Sequence, residues 1–123
     1  MTAAIAMNSR RYRRRLVETD CRYGCPIGRL ALEIDTENAL IAENFTAWKR
    51  AVEACVRAAG LPRPQEVASF VLTVMEGGVM QARAYRSLEP FDVCVRQLRA
   101  HIDALARGAR PRAAAPRRQR RPR

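Results

Sequence analysis

The 123 residues carry 23 basic and 12 acidic side chains, a net charge of +11, and are 48% apolar with only three Phe, three Tyr and one Trp. That length and composition fit one aliphatic, Ala-rich helical domain and argue against two. The charge looks like a nucleic-acid signature until it is mapped. Residues 1–23 hold six basic and two acidic groups, residues 24–106 nine and ten, and residues 107–123 eight and none, so the basicity belongs to the ends.

In chain order, SRRYRRRLVETD shows no sustained apolar face, and residues 1–23 are expected to be a basic segment, partly ordered at best. CRYGCPIGRLALE follows, in which Pro26 suits a first helical turn and Ile27, Leu30, Ala31 and Ile34 share one side. Leu30 and Ala31 are the first expected core contacts. A second helix is predicted from Asn38 to Ala59, its stripe formed by Ile41, Phe45, Trp48, Val52, Cys55 and Ala59 and its end marked by Gly60 and Pro62. Pro64 and Glu66 open a third, VASFVLTVMEGGVMQARAY, which is apolar on two faces and leaves a narrow polar strip through Ser69, Thr73 and Glu76. Gly77 and Gly78 each cost it about 1 kcal/mol relative to Ala, so a close approach by another chain segment is expected there. A fourth helix, about Leu88 to Ala106, carries Phe91, Val95, Leu98, Ile102 and Leu105 at heptad spacing. Residues 107–123, RGARPRAAAPRRQRRPR, have no apolar periodicity and are expected to be disordered.

Chemical sites are tested by the partners they require. Cys21 and Cys25 have a spacing compatible with zinc, but a closed site needs two more ligands, and Cys55, Cys94 and His101 are scattered along helices. The alternative is that the cysteines are free thiols of a reducing compartment, with Cys55 and Cys94 as small core residues and Cys25 packed under the helix it precedes. GCPIG lacks the Gly-Lys-Ser/Thr of a phosphate loop. One solvated histidine and dispersed carboxylates offer neither a nucleophile with its base nor an acid pair, so no enzyme, metal or cofactor is expected. Trp48, Met75, Met80 and Leu72 are candidates for an apolar ligand cavity, against the more common fate of such residues as core. No apolar run approaches the roughly 20 residues that cross a bilayer, and MTAAIAM is too short for a secretory core, so a soluble cytoplasmic protein is expected.

The order GCPIGRLALEID, FTAWKRAVEACVRAAG, PQEVASFVLTVMEGGVMQARAYRS and VRQLRAHIDAL resembles the C-terminal regulatory domain of TetR-family transcriptional repressors, in particular the LmrA/YxaF-like branch. Gly24, Cys25, Ala31 and Glu33 match the opening of its first helix, and Gly77, Gly78, Ala82 and Arg83 its small-residue helix; the likeness spans residues 24–106. It implies an antiparallel bundle of about four helices whose last two pair with those of a second subunit. The expected interface is Val71, Val74, Gly77, Gly78, Ala82, Phe91, Val95, Leu98 and Ile102. It also implies a pocket for a small apolar effector, with Trp48, Met75 and Leu72 as its candidates.

Twenty-three residues before Gly24 are too few for a helix-turn-helix, so this chain is not expected to read DNA sequence alone. The expected function is dimerisation and effector binding, as a homodimer or as a heterodimer with a related full-length regulator. Two alternatives stand beside it: a nucleic-acid-associated protein contacting phosphates non-specifically through its Arg-rich ends, and a truncated fragment without function.

Overall fold

The computed structural model describes residues 3–34 and 38–109. Among these the chain forms five helices: α1 (Ala3–Glu18), α2 (Pro26–Glu33), α3 (Ala39–Ala58), α4 (Pro64–Tyr85) and α5 (Glu89–Ala109). There is no strand among the described residues. α4 is the centre, flanked by α3 and α5, with α1 against α4 and α3, and α2 resting on α3.

α1 overturns the expectation for residues 1–23. Ile5, Ser9 and Leu16 are buried and Tyr12 packs half-buried beside them, at spacings that place all four on one helical face. The stripe is hidden in sequence because its two middle members are polar. Ser9 is accommodated because its hydroxyl donates to the Ile5 carbonyl at 2.8 Å and meets the Met75 sulfur at 3.8 Å. The helix ends where Asp20 and Cys21 adopt left-handed backbone, and Cys21 N–H closes on the Leu16 carbonyl at 2.8 Å. Two ion pairs tie this part to the far end of the fold. Arg13 meets Asp92 of α5 through both carboxylate oxygens at 2.9 and 3.1 Å, and Arg86, just after α4, reaches Asp20 at 2.6 Å.

In α3, Asn38 caps the start by accepting from Ile41 N–H at 3.2 Å, and Gly60 takes a positive φ of 67° beyond the end. Val52 and Val56 are buried; Val56 lies outside the stripe read from the sequence, and Ala59 at its end is exposed. α4 buries Val67, Ala68, Val71, Met75, Gly78, Val79 and Ala82, covered from two sides as its composition requires. α5 turns back along it and buries Phe91, Leu98 and Ile102. It continues to Ala109, three residues into the segment expected to be disordered; the rest of that segment, 110–123, lies outside the described residues.

α2 departs most from expectation. None of its residues is buried, and Leu30 and Leu32 are 44% and 76% exposed, so Leu30 and Ala31 are not core contacts. The helix stands off α4 with a cavity between them.

Candidate functional site

The cavity encloses about 220 Å³ and is walled by Gly28, Arg29, Ala31 and Leu32 of α2, Phe45 of α3, and Glu76, Val79, Met80 and Arg83 of α4, with Gly24 and Cys25 at one end. Its geometry starts at the entrance to α2. Cys25 is the N-cap residue, its sulfur accepting from Gly28 N–H at 3.5 Å, and Pro26 fills the first helical position. The Tyr12 hydroxyl of α1 donates to the same sulfur at 3.8 Å. Gly28 brings the Glu76 carboxylate close to the α2 backbone, and a Cβ there would displace it.

Glu76 sits half-buried beside Tyr12 and Cys25 and forms no ion pair among the described residues. Burial raises its carboxyl above the ordinary 4.5, against the opposing pull of the neighbouring Cys25 and Tyr12. The Tyr12 phenol is pushed well above its usual range by burial and by the neighbouring Cys25 and Glu76. Burial also raises the Cys25 thiol, despite the Gly28 amide, which makes it a packing and capping group instead of an activated thiolate. Of the two arginines at the cavity, Arg29 is held by Glu33 at 2.7 Å, and Arg83 lies two helical turns from Glu76, beside Gly24.

The residues expected to form a ligand pocket are divided. Met75 is 1% exposed in the core, and neither it nor Leu72 lines the cavity. Trp48 borders an adjoining depression of about 240 Å³, together with Tyr12, Arg11, Arg15 and Cys25. Met80 does line the cavity. Glu76 and Tyr12 were missed. For Glu76 a signal existed in its neighbours, since Leu72, Val79 and Met80 stand at helical spacing around it and mark an acid on an apolar face.

The nine residues expected at a dimer interface are divided as well. Val71, Gly78, Ala82, Phe91, Leu98 and Ile102 are enclosed within the chain's own core, and Val74 and Val95 pack half-buried against it. Gly78 is explained inside the chain: a Cβ there would lie 3.2 Å from the Cys94 Cβ and 3.3 Å from Phe91, so α5 is its close neighbour. Gly77 points the other way, with nothing within 4 Å of where its Cβ would be. It belongs to an outward row on α4, Phe70, Thr73, Gly77 and Ala84, in which Phe70 is 43% exposed. α5 has a matching outward row, Val93, Gln97, Ala100 and Ala104. The Phe70 ring meets His101 edge-on at 5.0 Å, joining the two helices on that side.

Five of the six arginines of the N-terminal segment stand on α1, where Arg13 is engaged by Asp92 and Arg14 by Glu18 at 3.7 Å. The four cysteines are free, and among the described residues no group of three or more Cys, His, Asp or Glu is arranged to hold a metal. No helix among them is long and apolar enough to cross a membrane.

The sequence has curated relatives. Two proteins of Mycobacterium tuberculosis, the uncharacterized HTH-type transcriptional regulators MT0206 (strain CDC 1551 / Oshkosh) and Rv0196 (strain ATCC 25618 / H37Rv), are each 34% identical over 100 residues, 72% of this chain and 52% of theirs. The chain spans about half the length of these relatives. No solved structure matches it. The family model described as "Transcriptional regulator LmrA/YxaF-like, C-terminal domain" covers residues 2–97, starting ahead of Gly24 and taking in the whole of α1 as the packing does. The chain therefore belongs to the LmrA/YxaF-like group of TetR-type transcriptional regulators, whose C-terminal domain it carries.

Proposed function

We propose that this chain is a dimerising, effector-binding regulatory domain, acting in the cytoplasm without catalytic chemistry. One observation supports the reading above the others: α4 serves three environments at once. One side is core, through Val71, Met75 and Gly78. A second lines the cavity, through Glu76, Val79 and Arg83. The third is the outward row containing Phe70, Gly77 and Ala84, which together with Val93, Ala100 and Ala104 of α5 offers a low-relief surface on which the same helices of a second copy could pack. A ligand in the cavity therefore touches the helix on which the dimer is built. The partner in this reading is a second copy or a related full-length regulator.

Sedimentation equilibrium tests the association. The unmodified chain is expected to be dimeric and Gly77→Arg monomeric, with circular dichroism unchanged because position 77 opens to solvent. A Gly77→Arg chain as dimeric as its parent would refute the assigned face.

A further inference from the structure

Glu76 poses a problem that the fold alone does not answer. A carboxylate drawn from water is costly unless it is paired or well hydrogen-bonded, and this half-buried one has the neutral Cys25 and Tyr12 beside it and no cation paired with it among the described residues. Gly28, with no side chain, leaves the space that one of the Glu76 carboxylate oxygens occupies. The wall around it is apolar, chiefly Ala31, Leu32, Phe45, Val79 and Met80. The arginines do not neutralise it. Arg29 is engaged by Glu33, and Arg83 stands at the Gly24 end of the cavity, two turns along α4.

We infer that the cavity between α2 and α4 takes an apolar amine, its protonated nitrogen against the Glu76 carboxylate and its hydrocarbon body against Phe45, Val79 and Met80. The inference rests on the reading of this cavity as the effector site and specifies the chemistry of its occupant. A cation supplies the one partner Glu76 lacks. It gives a half-buried, unpaired carboxylate a charge-assisted hydrogen bond. A neutral head group forms a weaker bond to the same oxygen, and a carboxylate head group meets like charge. The cavity volume of about 220 Å³ suits a single ring system or a short alkyl chain.

Three probes of equal tail length separate head group from tail: octylamine, 1-octanol and octanoate, titrated calorimetrically into the full 123-residue chain below their aggregation concentrations. Octylamine is expected to bind at least about tenfold more tightly than octanol, the margin of a hydrogen bond to a charged over a neutral group. Octanoate is expected to bind most weakly. Glu76→Gln is expected to bring the amine down to the level of the alcohol and leave the alcohol unchanged. Octanol or octanoate binding as tightly as octylamine would overturn the amine assignment while leaving the cavity as an apolar ligand site. Failure of all three to bind would overturn both. The ranking in the unmodified chain decides the matter even if the variant does not fold.

Discussion

Gly77 and Gly78 are neighbours in one helix, and the same substitution at each is expected to have opposite effects. Replacing either by Ala removes the backbone-entropy cost of a helical glycine, about 1 kcal/mol. At position 77 nothing opposes that gain, because the new methyl group meets open space. For a domain of this size a 1 kcal/mol gain raises the melting temperature by about 4–8 °C. At position 78 the methyl group arrives 3.2 Å from the Cys94 Cβ and 3.3 Å from both its sulfur and Phe91 Cδ2, tighter than ordinary van der Waals contact. Phe91 is fully buried, so α5 must move by a few tenths of an ångström, and overpacking of this kind costs about 1–3 kcal/mol. The net effect of Gly78→Ala is then between neutral and about 2 kcal/mol destabilising, leaving the two variants about 1–3 kcal/mol apart. Urea unfolding followed by circular dichroism measures this directly. Runs at two protein concentrations separate folding from association, since an associating chain gains apparent stability with concentration. Equal stabilisation by both substitutions would refute the close approach of α5 to α4 and, with it, the assignment of the two glycines to opposite faces.

Two other expectations follow from the packing. Glu76 titrates above its ordinary value of 4.5 in the folded chain, so as pH rises from there the unfolded state releases its proton first and the fold loses stability until the folded carboxyl also ionises. Tyr12, Cys25 and Arg29 stand around the same space and, all shifted upward, keep their protonation in that window; Glu76→Gln should therefore raise the melting temperature at neutral pH and flatten its fall above pH 4.5, and an unchanged pH profile would contradict the burial of Glu76. Leu16→Ala should cost about 2–5 kcal/mol as a buried large-to-small change, because Leu16 is 2% exposed in the core; a cost below 1 kcal/mol in urea unfolding would mean that α1 is not docked as described.

The helical repeat was plain in the sequence wherever apolar residues carried it. Phe91, Leu98 and Ile102 on α5, or Val52 on α3, declare a face by spacing alone, and that face is the one buried. Spacing does not say what does the burying. The seam on α5 reads equally as a core face or a subunit interface, and the structure uses it for the core, leaving the smaller and more polar row of Val93, Gln97, Ala100 and Ala104 outside. α1 was illegible for the reverse reason. Its stripe runs Ile5, Ser9, Tyr12, Leu16, and a serine becomes a core residue only when its hydroxyl has a carbonyl four residues back to donate to. The cavity was partly legible through Met80, but Glu76 looked like a member of a polar strip because its neighbours Tyr12 and Cys25 lie far away in sequence.

α2 is held almost wholly by local means: Pro26 at its first turn, the Cys25 cap and the Arg29–Glu33 pair. Eight residues with no buried side chain form a helix that is marginal in water. It is therefore the part of the domain with the smallest free-energy gap to its open form, far below α4, and its amides should exchange with solvent while those of α4 remain protected. A molecule filling the cavity would give Ala31 and Leu32 the apolar neighbours they lack. Under the proposed function, what such a domain would report to a second copy is a change in order instead of a displacement: motion withdrawn from α2 and, through the shared wall, from α4.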